Sequence, residues 1–144
     1  MKIVIGSDHA GFHLKTELAA FLEGSGHQVE DIGSFTPEAV DFPDIARDLC
    51  AAVKSGVNER GILVCGTGVG ASIAANKVRG IRAAVGHDIH SAHQAVEHDD
   101  VNVLKRWLCN RIVATKLKPA SAFLSFLGRP WTFVRFGMVA VYVL

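Results

Sequence analysis

The residues best suited to chemistry lie in the stretch Gly61-Ile-Leu-Val-Cys-Gly-Thr-Gly-Val-Gly-Ala-Ser72. An apolar run, residues 62–65, ends on a thiol, and Gly66, Gly68 and Gly70 follow at alternate positions. Small residues then lead into a predicted helix. Such a segment sets a cysteine and a row of backbone N–H groups at the carboxyl end of a strand. Open α/β sheets bind their ligands at that edge. A helix N-terminus there favours negative charge and lowers the pKa of a thiol. A nucleophile or base therefore faces a place where an anion can develop.

Two further predicted strand ends carry reactive groups: Ser7-Asp8-His9 after the first strand and His87-Asp88 after the fourth. In a parallel sheet these ends share one edge with Cys65-Gly66-Thr67. A carboxylate, an imidazole, a thiol and a hydroxyl beside an N–H-rich loop suit proton transfer next to a carbonyl. A base removes the proton, the N–H groups hold the resulting enediolate, and an acid serves the neighbouring oxygens. Nucleotide binding fits poorly. The loop lacks the Lys-Ser/Thr ending of a P-loop. It follows the third strand rather than the first, and no acidic residue closes the next strand.

The elements that must position these groups are read from periodicity and breakers. Strands are predicted at 2–5, 28–32, 61–65, 80–86 and 111–114. Helical stripes cover 12–22, 45–53, 71–77, 88–96 and 117–127, with Asp88 as a cap for the fourth. Residues 34–43 have the composition of a loop. Alternation of strand and helix implies a parallel sheet with helices on both faces. The nearly all-apolar strands agree with two covered faces.

A chain of 144 residues with 49% hydrophobic and 20% charged residues fits one globular domain, 1–144. A net charge of +1 gives no bulk reason to expect nucleic acid. Three scattered cysteines match neither a disulfide framework nor a zinc pattern and suit a reducing compartment. No apolar run is long enough for a signal peptide or a membrane span, so a cytoplasmic location without membrane attachment is expected.

The motifs Gly6-Ser-Asp-His-Ala-Gly-Phe12, Val40-Asp-Phe-Pro-Asp44, Cys65-Gly-Thr-Gly-Val-Gly70 with Asn76-Lys77, His98 and Asn102-Val-Leu104 occur in this order. Over residues 1–104 the chain thereby resembles type B ribose-5-phosphate isomerase, a family that also holds the galactose-6-phosphate isomerase subunits. The resemblance implies a three-layer α/β sandwich with a five-stranded parallel, flavodoxin-like sheet. It implies a dimer, or a dimer of dimers, with active sites shared between subunits, a sugar phosphate as substrate, and neither metal nor organic cofactor. By motif position Cys65 moves the proton between C1 and C2, and Thr67 assists it. Gly66, Gly68, Val69 and Gly70 form the anion-hole loop. Asp8 and His9 contact the sugar and, through His9, its phosphate. His98 helps open the ring from the partner subunit. Arg111 binds phosphate, and Arg129 matches a second arginine. Ribose 5-phosphate is the simplest substrate; a six-carbon aldose phosphate, or binding without turnover, are the alternatives.

Plainer roles stand beside these. On residue type alone Asp8 serves equally as a helix cap. Cys50 and Cys109 read as structural, and His87, His90 and His93 as a solvated helix rather than a metal cluster. The chain also departs from the family pattern. Asp99 stands where asparagine is usual, and an added carboxylate there is expected to weaken binding or change which sugar is accepted. Residues 105–110 form a longer link, and the apolar tail of about 130–144 replaces a polar, arginine-rich helix. The β-branched end Gly137-Met-Val-Ala-Val-Tyr-Val-Leu144 is expected to pack on a neighbouring subunit. Removing residues 137–144 is then expected to lower the association state; an unchanged mass by light scattering would refute this.

Overall fold

The computed structural model describes residues 1–86 and 89–107. Its elements follow in the order β1 (Lys2–Ser7), α1 (Phe12–Gly24), β2 (Gln28–Asp31), α2 (Phe42–Lys54), β3 (Arg60–Cys65), α3 (Val69–Asn76), β4 (Ala83–Gly86), α4 (Ile89–Glu97) and β5 (Val103–Trp107). All strand pairings are parallel, and the sheet order is β2-β1-β3-β5-β4. This is the expected doubly wound, flavodoxin-like sheet, with its last two strands exchanged relative to the order 2-1-3-4-5.

The central strands explain the layering. Successive side chains of a strand point to opposite faces. Ile3, Ile5, Ile62 and Val64 accordingly join Leu22 of α1 and Ala92 and Ala95 of α4 in one core. Val4, Leu63 and Cys65 join Ala46, Leu49 and Cys50 of α2 and Ala71 and Ala75 of α3 in the other. Both faces of β1 and β3 are thus covered, as their unbroken apolar sequences require.

Two strand boundaries differ from expectation. β4 begins at Ala83 rather than at residue 80, because asparagine side chains hold the preceding turn. Asn102 accepts from Arg82 N and donates to Gly80 O, each at 2.9 Å. Asn76 accepts from Ala83 N and donates to Ala83 O, each at 2.8 Å. The fifth strand of the described sheet is Val103–Trp107, paired with β3 and β4. The expected strand at 111–114 and the tail lie outside the described residues.

A buried lysine ties the first layer to the loop after β2. Lys15 is 1% exposed. Its ammonium donates to Asp31 Oδ1 and Oδ2 at 2.7 and 2.5 Å and to Ser34 O at 2.8 Å, and lies 4.9 Å from the Phe35 ring centroid. Such a charge is tolerated inside only when it is fully partnered. The fastened segment then zips onto β1, Ile32 N donating to Ile5 O and Ser34 N to Ser7 O. At the amino edge, Arg60 is buried and donates to Val101 O at 3.0 Å. Desolvation lowers its pKa to about 10, so it stays charged at neutral pH.

Gly33 sits where no side chain fits: a Cβ there would lie 2.2 Å from Ser7 N. Relief requires moving backbone that is hydrogen-bonded on both sides. Gly33→Ala is expected to lower stability by about 3 kcal/mol, a large single-site effect, read as a shift in the urea midpoint.

Candidate active site

The register of the two central strands builds the site. Ser7 is level with Val64, and the ladder continues one step, Asp8 N donating to Val64 O at 3.3 Å. Asp8 and Cys65 are therefore next in line on adjacent strands, about 4.8 Å apart in the pairing direction. Cys65 turns towards the α2/α3 core, whereas the Asp8 carboxylate turns back to the backbone of the turn before α1. Each is 7% exposed.

Asp8 does two things at once. Its Oδ1 accepts from Gly11 N at 2.9 Å, closing the turn that launches α1. This is the capping role open to it on residue type, and it engages one carboxylate oxygen. The turn lies flat on the end of β3, since a Cβ at Gly11 would be 2.6 Å from Val64 O. Ala10 lies against Gly66, its methyl 3.7 Å from where a Gly66 Cβ would stand. His9, between Asp8 and Ala10 in sequence, is exposed.

The glycine loop then opens α3. Gly68 has φ +74° and occupies the N-cap position, where no side chain bonds to the helix. The first N–H groups of any α-helix lack intrahelical acceptors. The glycine N-cap supplies no side-chain acceptor, and such a helix start favours an anion. Thr67 and Val69 are exposed, Gly66 and Gly70 half-buried. A buried thiol, a carboxylate and the first N–H groups of a helix thus share one strand edge. That arrangement can take a proton from carbon and hold the resulting oxyanion.

Other expected site residues lie elsewhere. His98 and Asp99 follow the end of α4 and are exposed. In this winding they fall at the amino edge, separated from Cys65 by the length of β3, about 20 Å for six residues. One chain does not bring them to the thiol. Arg111, Arg129, His87, Asp88 and Cys109 lie outside the described residues. Among the described residues no group of three or more histidine, cysteine or acidic side chains could hold a metal ion. His93 pairs with Glu97 at 3.0 Å along α4. No helix of the described residues is long and apolar enough to cross a membrane.

Phe42 belongs to this edge and was missed as a site residue. Its ring covers Gly70, a Cβ there lying 3.0 Å from the ring Cζ. Its only sequence signal is its place in Val40-Asp-Phe-Pro-Asp44, which says nothing about where the ring lands.

Comparison with known proteins adds an independent finding. Residues 3–128 match the family model described as Ribose/Galactose Isomerase. The ribose-5-phosphate isomerase B of Escherichia coli is 48% identical over 103 residues, covering 72% of this chain and 69% of its own. The D-erythrulose-4-phosphate isomerase of Pectobacterium atrosepticum is 42% identical over 106 residues, covering 72% and 69%. The crystal structure of a ribose 5-phosphate isomerase from Thermotoga maritima superposes with a TM-score of 0.77 at 40% identity, covering 93% of this chain and 90% of that one.

The positive φ of Gly68 makes a side chain costly there, by about 1 kcal/mol or more. Gly66 has only the loose contact with Ala10. Gly68→Ala is therefore expected to lower the denaturation midpoint more than Gly66→Ala does, in paired urea melts.

Proposed function

The chain belongs to the ribose/galactose isomerase family, and from that premise we propose that it interconverts ribose 5-phosphate and ribulose 5-phosphate with Cys65 as the base. That it is a sugar-phosphate isomerase follows from the family. The observation that carries the finer reading is the adjacency of Cys65 and Asp8 at the ends of β3 and β1, beside the uncapped start of α3.

The proposed steps balance in protons. The sugar ring opens to the aldehyde, with His98 and Asp99 supplied by a second subunit and Asp8 facing the sugar. The Cys65 thiolate, with Thr67 beside it, takes the proton from C2. Electrons move onto the carbonyl oxygen, and the enediolate forms against the N–H groups of residues 66–70. The hydroxyl proton of the C2 oxygen passes to the C1 oxygen, and the proton held by Cys65 returns to C1 as the C2 oxygen becomes the ketone. A free thiol, with a pKa of about 8.5, is only a few per cent thiolate at neutral pH, so a helix N-terminus beside it matters. His9, Arg111 and Arg129 are proposed to hold the phosphate. The enzyme is proposed to work in the cytoplasm as a homodimer or dimer of dimers, without a cofactor.

A second reading, a shorter sugar phosphate, is favoured by the Pectobacterium relative, whose name gives a four-carbon substrate.

Cys65→Ala is expected to cut turnover by at least about a thousandfold, the upper part of the range for a positioned base, with the circular dichroism spectrum unchanged. A variant that keeps most of its turnover would refute the thiol base. Assay of the wild type against four-, five- and six-carbon aldose phosphates separates the substrate readings.

A further inference from the structure

We infer that Phe42 is a positioning residue for the anion-hole loop: its ring is the surface against which Gly70 and the first turn of α3 are set. The inference rests on the isomerase reading above and adds a residue to it.

Gly70 poses the question. It is the second residue of α3, within the helix's first turn. Glycine forms helix less readily than alanine. Gly68 earns its place by a left-handed φ, but Gly70 shows no positive φ. What it lacks is room. A Cβ would stand 3.0 Å from Phe42 Cζ, 3.3 Å from Cε2 and 3.8 Å from Cε1. A methyl at position 70 would sit tight against the ring, which would have to give by a few tenths of an ångström.

The ring is also well anchored. Phe42 is the first residue of α2, and a proline stands in the same first turn, where its fixed φ suits the helix start. Asp41 before it is extended, at φ −82° and ψ 110°. The half-buried ring packs on the core shared by Leu49, Ala71 and Ala75. It reaches α3 at the turn whose N–H groups face the proposed oxyanion. Donors to a developing charge act only when placed within a few tenths of an ångström, so a rigid wall behind the loop sets catalysis as well as stability.

A double-mutant cycle tests this, with kcat, KM and the thermal midpoint measured on the full chain with its best aldose phosphate. Gly70→Ala is expected to lower kcat about tenfold with KM nearly unchanged, the pattern of a loss confined to the transition state. Phe42→Leu is expected to lower kcat severalfold. In the Phe42→Leu background the added methyl has space, so Gly70→Ala should cause no further loss in kcat and should raise the midpoint. Losses that multiply, or a Phe42→Leu enzyme with the kcat of the wild type, would overturn the proposal and leave the isomerase reading standing. A wild type without turnover on any aldose phosphate would overturn both.

Discussion

The pairing of β1 with β3 is the constraint on which the molecule turns. Both strands are buried on two faces, so neither can slip by one residue without exchanging its side chains between two filled cores. Val4 and Leu63 serve one core, Ile5 and Ile62 the other. The register is therefore fixed by packing along the strands' whole length. The placement of Asp8 beside Cys65 is its by-product at the carboxyl end, so this juxtaposition needs no separate device.

The surrounding edge is built by close approach of backbone to backbone. Gly33 lies on Ser7 and Gly11 on Val64, which lets the loop after β2 and the turn before α1 lie flat against the strand ends. Lys15 fastens the first of these through Asp31 and Ser34. A desolvated ammonium is an expensive fastener, and breaking such a pair leaves a buried charge alone. That asymmetry favours one loop position over its alternatives, which suits a segment bounding a site.

Much of this was legible in the sequence, for a physical reason. Strands covered on both faces are written as apolar runs, and the glycines and small residues after them mark where the runs stop. The thiol at 65 and the carboxylate at 8 could be assigned to one edge because parallel winding leaves them no other. The remainder depended on contacts between distant residues. The late start of β4 follows from two asparagines, 76 and 102, which are remote in sequence from the turn they hold or lie beyond it. Val103–Trp107 carries Lys105 and Arg106, so it lacks the apolar run that marked the inner strands. Lys15 reads as a solvent-facing helix residue until its carboxylate partner sixteen positions later is known. The landing point of the Phe42 ring has no sequence signal at all.

The outermost strand β2 has a consequence for how copies of this chain meet. It contributes four residues, and Gln28, Glu30 and Asp31 are exposed along it. A margin of only four residues, bearing charged side chains, is a poor template for another strand. Growth of the sheet from molecule to molecule is discouraged there, and fibre formation with it. On α3, by contrast, the apolar Val69 and Ile73 stand open to solvent.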